Sequence, residues 1–281
     1  MKSIRVTADS AMLIPKGAGE NMVFAIRTAA LRREFGEVVA VEGLDLAVKS
    51  GTFFGFLGPN GAGKSTTIKM LTGLLGPSAG CARILGHDVV SDAVAAKKLM
   101  GVVPEESALF ERLTGPEYLR FVGSMYGLSR AAIDVRSEEL LALMGLQDDT
   151  GKLIVDYSHG MRKKLSISAA IIHEPSVLFL DEPFEGIDAV SSQLVRSVLN
   201  QLVANGVTVF LTSHILEIVE KLCSHVAIIH RGRLVADGPL DSLRRGEGES
   251  EEGRETKTLE ELFLSLVAGD RLEQGRLSWL E

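Results

Sequence analysis

The residues Gly58-Pro59-Asn60-Gly61-Ala62-Gly63-Lys64-Ser65-Thr66 satisfy the pattern G-x-x-x-x-G-K-[ST], and the chemistry of that spacing is the grip of a nucleotide triphosphate. Gly58, Gly61 and Gly63 admit backbone dihedrals that a Cβ disfavours and let phosphate come close to the main chain. A concave row of backbone N–H groups at a helix N-terminus then offers partial positive charge to phosphate oxygens. Lys64 reaches for the outer phosphates, and the Ser65 hydroxyl is a ligand for Mg²⁺. A glycine-rich turn with an incidental lysine is the bland alternative. The flanks disfavour it: Thr52-Phe53-Phe54-Gly55-Phe56-Leu57 reads as a buried strand, and Thr67-Ile68-Lys69-Met70-Leu71 continues as a helix.

A phosphate loop needs a distant carboxylate to position the metal, and a hydrolase needs a second group to direct water. Val177-Leu178-Phe179-Leu180-Asp181-Glu182 supplies both at the end of an apolar run, where open α/β sheets bind their ligands. Asp181 is the expected Mg²⁺ ligand, and Glu182 is the expected base for the attacking water. A strand that merely ends in solvated acids is the weaker reading once the phosphate loop lies upstream.

The elements that must position these groups are legible in part. Strand signals fall at Val23-Phe24-Ala25-Ile26, Val38 to Val41, Leu44 to Val48, Ser176 to Leu180, Val207 to Thr212 and Val226 to Ile229, with Gly232 to Ala236 closing a hairpin. Between the phosphate loop and Ser176 the pattern turns helical. Thr114-Gly115-Pro116-Glu117 predicts a helix start, and Ala131 to Met144 predicts another helix. Residues 105–172 therefore read as a mostly helical insert in a domain over 23–245. Residues 1–22 are expected to be a flexible leader and 246–257 a charged linker. A last helix over 258–281 is expected to open on Thr258-Leu259-Glu260-Glu261, with Leu259, Leu262, Phe263, Leu266 and Val267 on one face.

The chain has 281 residues, a net charge of −7 and 46% hydrophobic residues. That balance suits a soluble globular protein and argues against non-specific nucleic-acid binding. No apolar run approaches the roughly 20 residues that span a bilayer. Cys81 and Cys223 stand far apart without metal-ligand spacing, compatible with a reducing cytoplasm.

Further motifs, in order, carry a family resemblance. Tyr157-Ser158-His159-Gly160-Met161 occupies the place of the signature L-S-G-G-Q. Phe184-Glu185-Gly186-Ile187-Asp188 resembles the D-loop, and Leu211-Thr212-Ser213-His214 resembles the switch-histidine segment. Phe35 sits where an aromatic ring stacks on adenine, and Glu105 sits where the Q-loop begins. Over about residues 23–245 the chain resembles the ATP-binding subunit of an ABC transporter, most like the drug and polysaccharide exporter ATPases. The resemblance implies an α/β P-loop NTPase fold: an ABC-type core, an antiparallel β subdomain and a mostly helical signature subdomain.

It also implies ATP and Mg²⁺ as cofactors, and a homodimer or a heterodimer with a related ATPase. Ser158 and Gly160 then contact, in trans, the ATP held by Lys64 of the opposite chain, and Asp188 lies at the dimer interface. His214 is implied to contact the γ-phosphate as a second catalytic residue. A separate transmembrane permease is the implied partner, which places the chain on the cytoplasmic face of the membrane, with no nucleic acid expected. Two departures stand out. His159 and Met161 replace a glycine and the glutamine of the signature. Glu105 replaces a glutamine, which keeps an oxygen ligand for Mg²⁺ but adds negative charge beside triphosphate.

Taken singly, these residues have blander readings: Phe35 as core, His214 as a satisfied polar residue at a strand end, Asp188 as a helix cap. Arg162-Lys163-Lys164 reads as a solvated charge run, yet cations in the first turns of a helix oppose its dipole, which hints at an electrostatic role near phosphate. An ABC ATPase without transport, of the iron–sulphur assembly type, and a P-loop kinase are the rival readings.

Overall fold

The computed structural model describes residues 24–245 and 257–267. The expected leader over 1–22 lies outside the described residues, as do 246–256 of the expected linker and 268–281 of the expected final helix.

Two sheets organise the chain. Strands β1 (Phe24–Phe35), β2 (Val38–Lys49), β4 (Ala79–Ile84) and β5 (His87–Asp88) form an antiparallel sheet in the order β2-β1-β4-β5. A second sheet runs β10-β9-β3-β8-β7-β6, built from β3 (Phe53–Leu57), β6 (Met100–Val103), β7 (Val177–Asp181), β8 (Thr208–Thr212), β9 (His225–His230) and β10 (Arg233–Pro239). All its neighbours are parallel except β10, which folds back antiparallel on β9.

The central strands read as unbroken apolar runs because both of their faces are covered. Successive side chains point to opposite faces. Phe53, Leu57, Leu178, Leu180, Val209 and Leu211 therefore enter one core, beneath the helices. Phe54, Phe56, Phe179 and Phe210 enter the other, against the antiparallel sheet. There the Phe210 ring lies 5.3–5.5 Å from the three other rings.

Helix α1 (Lys64–Leu71) follows β3 directly, and α2 (Ala93–Lys98) precedes β6. Helices α3 (Gly115–Met125), α4 (Arg130–Leu143) and α5 (His159–Ile171) stand together between β6 and β7. The start of α3 is the expected reciprocal cap: Glu117 Oε2 accepts from Thr114 N at 2.8 Å, and the Thr114 hydroxyl accepts from Glu117 N at 3.4 Å. Helices α6 (Ala189–Ala204), α7 (Leu216–Leu222) and α8 (Leu240–Arg245) alternate with the remaining strands. The last described helix, α9 (Leu259–Val267), has the same cap between Thr258 and Glu261. It buries Leu259 and sets Leu262, Phe263, Leu266 and Val267 against the helical-side core beside α7.

Three sequence expectations need correction. The stretch from the phosphate loop to Ser176 is not helical throughout, because β4, β5, α2 and β6 precede the three-helix group. The separate runs Val38 to Val41 and Leu44 to Val48 are one strand that continues through Gly43, which takes a positive φ of 64°. The first strand does not stop at Ile26 but runs on to Phe35, with register shifts that let it bend against β2.

Candidate nucleotide site

Strand β3 delivers the chain to Gly58, where a Cβ would stand 2.4 Å from the Ile229 carbonyl oxygen. A residue with a side chain therefore cannot occupy this turn without moving β9. Helix α1 starts at Lys64, and its cap Gly63 holds a left-handed φ of 111°. The Lys64 ammonium is buried and donates to the Gly58 carbonyl at 2.7 Å, with Pro59 O at 3.4 Å. Resting on the loop's own carbonyls, it waits inside the loop rather than in solvent.

Asn60, Gly61, Gly63, Lys64, Ser65 and Thr66 wall one side of a cavity of about 330 Å³, faced by Ala40, Glu105, Asp181 and Glu182. A larger hollow of about 550 Å³, between α4 and α6, holds none of these groups. Donor chemistry, not size, marks the smaller one as the site.

The acidic wall is built by the strand ends. In-register pairing of β7 with β8 sets Asp181 opposite Thr212. The Thr212 hydroxyl donates to Asp181 Oδ1 at 2.5 Å and accepts from Glu182 N at 3.1 Å. Glu182 has a positive φ of 48°, an uncommon conformation for a residue with a Cβ, and such residues cluster at functional sites. Its Oε2 accepts from His214 N at 3.2 Å and from His214 Nδ1 at 2.9 Å. Asp181 and Glu182 are buried, while the His214 side chain is 52% exposed. Ser65, Asp181 and Glu105 bring a hydroxyl and two carboxylates to one cavity, an all-oxygen set of the type a hard divalent cation takes.

Other expected site residues lie elsewhere. Phe35 ends β1 with 48% of its surface exposed and Arg33 over its ring at 4.6 Å, outside the cavity walls. Ser158 caps α5, accepting from Met161 N at 3.2 Å, and neither it nor Gly160 borders the Lys64 cavity. His159, in place of the signature glycine, donates through Nε2 to the Glu185 carbonyl at 3.3 Å. Its ring lies where a side chain at Gly186 would be. Asp188 caps α6 and accepts from Ser191 N at 2.9 Å. The N–H groups of that turn hold its carboxyl below the usual carboxylate range.

The run Arg162-Lys163-Lys164 separates into distinct fates. Arg162 pairs with Glu111 at 3.0 Å and donates to the carbonyls of Val155 and Tyr157. Lys163 is buried, with Nζ donating to the Glu105 carbonyl at 2.8 Å. Sequence reasoning gave no role to Thr212 or Ala40. The signal for Thr212 was its register opposite Asp181, which only strand pairing reveals.

The sequence profile of the family described as "ABC transporter" matches residues 41–185. The chain is 42% identical over 224 residues to the daunorubicin/doxorubicin resistance ATP-binding protein DrrA of Streptomyces peucetius, covering 80% of this chain and 68% of that protein. It is 39% identical over 213 residues to the linearmycin resistance ATP-binding protein LnrL of Bacillus subtilis, covering 76% and 68%. A solved structure described as the ATP binding subunit of an ABC transporter superposes with a TM-score of 0.79 at 32% identity, over 86% of this chain and 99% of that one. With the phosphate loop, the paired acids and this similarity together, the chain belongs to the ABC transporter family as an ATP-binding ATPase subunit.

Proposed function

We propose that two copies of this chain close head to tail on two ATP molecules and drive export through a separate membrane-embedded permease. The observation that carries the dimer is the position of the signature. Ser158 and Gly160 match a phosphate-contacting motif, yet they do not border the cavity of their own Lys64. A second copy, by two-fold symmetry, brings each signature to the other's loop. Phe35, exposed at the end of β1, offers a ring on which adenine stacks.

In that closed site Lys64 and the loop amides bind the β- and γ-phosphates. Glu182 takes the proton of the attacking water as its oxygen bonds to the γ-phosphorus and the bond to the bridging oxygen breaks. His214, tied to Glu182 through Nδ1, keeps its other ring nitrogen for the γ-phosphate. Ser65, Asp181 and Glu105, which line one cavity, would hold Mg²⁺, and the ion when bound would neutralise phosphate charge.

A groove walled by Leu109, Tyr118, Val122, Tyr126 and Ala169 supports permease docking. Phe110 in the segment before α3, with Phe121 and Met125 on α3, adds exposed apolar surface beside it, the kind of surface that marks interaction sites. No described helix is long and apolar enough to cross a membrane; in this proposal the permease holds the chain at the cytoplasmic face. The drug-resistance relatives support a drug-like cargo and outward direction.

The test uses the Glu182→Gln chain. It should bind ATP, stop turning over and run as an ATP-dependent dimer in light scattering, and it should retain a multi-span partner on affinity isolation from membranes. Hydrolysis at the parent rate removes Glu182 as the base, and recovery with soluble proteins alone transfers the chain to a non-transport role.

A further inference from the structure

Lys163 is an uncommon expense for a fold. It is 1% exposed, in the second turn of α5, and burial pulls its pKa down. Opposing that pull are the charges of Glu185, Asp181, Glu105 and Glu182, in that order. An apolar side chain of the same length would pack there without desolvating a charge. The ammonium has a fixed target: the main-chain oxygen of Glu105 at 2.8 Å.

That bond is one of three ties between the same two pieces of chain. At the far end of α5, His173 Nε2 donates to the Met100 carbonyl at 2.9 Å. Next along β6, a Cβ on Gly101 would stand 2.1 Å from the Ala170 carbonyl oxygen, so strand and helix touch main chain to main chain. β6 then ends at Val103, and Pro104 and Glu105 continue without regular structure. Lys163 is the clamp that holds this exit segment to the opening turns of α5. The helix carries Ser158 at its cap, and the segment carries Glu105 into the wall of the nucleotide cavity.

We propose that Lys163 is a positioning residue for ATP hydrolysis: it fixes the Glu105 segment to α5, so that the cavity wall and the signature cap move as one body. It acts through Glu105 and Ser158 rather than by touching nucleotide. The inference rests on the reading of the site given above, in which Lys64 binds ATP and Glu182 activates water. An ammonium suits the task because it bonds the carbonyl and also offsets the carboxylates around it. Within the run Arg162-Lys163-Lys164 beside the signature, Lys163 is the cation that surface solvation does not explain, and the clamp accounts for it.

The experiment compares Lys163→Met, Lys163→Arg and Lys163→Gln in the full chain. Steady-state ATP hydrolysis gives kcat and KM, binding of a fluorescent ATP analogue gives affinity without turnover, and amide hydrogen exchange reports on residues 105–107. Misplacing a catalytic wall by about 1 Å costs roughly 10²-fold, so Lys163→Met should lower kcat at least about tenfold. Its analogue affinity should stay within about threefold of the parent, since the phosphate loop is untouched. Amides of 105–107 should exchange faster, and Lys163→Arg should recover most of kcat. Should Lys163→Met fail to fold, Lys163→Gln reads the same quantities with a side chain that can still bond the carbonyl weakly.

A kcat within twofold of the parent, or kcat and binding lost in equal measure, overturns the clamp. Lys64→Ala and Glu182→Gln serve as controls. If they lose binding and turnover respectively while Lys163→Met behaves as the parent, only the clamp falls. If the controls leave hydrolysis intact, the reading of the site falls first.

Discussion

At the residue scale the site depends on a hydroxyl that carries no charge. Thr212 bridges Asp181 Oδ1 and the amide of Glu182, so one side chain sets the direction of both the proposed metal ligand and the proposed base. Groups that orient metal ligands change metal affinity or activity by about 10–100-fold when removed. Thr212→Val keeps shape and strand propensity but removes the donor and the acceptor. ATP turnover should fall about tenfold or more, with a higher Mg²⁺ concentration needed for half-maximal rate. Folding stability should drop by about 1–3 kcal/mol, because a buried amide and carboxylate oxygen lose their partner. Thr212→Ser should restore both, as read by a Mg²⁺ titration of hydrolysis and by urea unfolding.

At the scale of elements, legibility followed locality. The phosphate loop, its strand and its helix were readable because all the determinants lie within about twenty consecutive residues, with the glycines and the lysine at fixed offsets. The caps at Thr114 and Thr258 were readable for the same reason: donor and acceptor are three residues apart. β4 and β6 were not. Ala79-Gly80-Cys81-Ala82-Arg83-Ile84 has little alternation, and Met100-Gly101-Val102-Val103 is only four residues long. Both are strands because of partners distant in the chain, β1 for one and β7 for the other. In the site, the acids and the loop were legible as types, whereas the Thr212 bridge and the Lys163 clamp arise from pairing that no local pattern encodes.

The turn after α5 shows what such distant contacts do to an ionisable group. The His173 ring stacks on Tyr126 of the α3 end at 3.5 Å between centroids, and its Nε2–H is committed to Met100 O. Burial, with Arg136 nearby, lowers its pKa from the ordinary 6.5, and the Met100 bond opposes that only partly. Its folded value thus lies below its unfolded one, and the unfolded chain binds more protons between the two. Stability should therefore be intact above about pH 6.5 and decline as pH falls below it. The slope should stay well under the ceiling of about 1.4 kcal/mol per pH unit for one proton, since solvent screens a half-buried ring. His225, lowered by burial and by Lys49, adds to the same slope. Denaturant midpoints at pH 7.5, 6.5 and 5.5 should show a flatter decline in His173→Gln than in the parent, and equal declines would remove His173 from the account.

For the whole molecule, the proposed head-to-tail closure means that one chain holds two half-sites rather than one whole one. In that proposal the phosphate loop and the Asp181–Glu182 wall form one half, and Ser158, which caps α5 and does not border that cavity, serves the other. A monomer should thus bind ATP with full loop contacts yet hydrolyse it slowly, and activity per chain should rise with protein concentration as dimers form. Ser158→Ala separates the two functions. The variant loses the cap bond to Met161 N, a stability cost of about 0.5–2 kcal/mol, and loses the hydroxyl offered to the opposite nucleotide. ATP binding measured at dilution should match the parent. In a Glu182→Gln background the ATP-dependent dimer should dissociate at concentrations at least about tenfold higher, consistent with the roughly 1.5–3 kcal/mol of a hydrogen bond to a charged group. Ser158→Gly, a tolerated helix cap without a hydroxyl, divides the causes: it restores α5 stability to within a few tenths of a kcal/mol but leaves the dimer weak. If Ser158→Gly instead restores the dimer, Ser158 serves its own helix and the second half-site must be sought elsewhere on the surface.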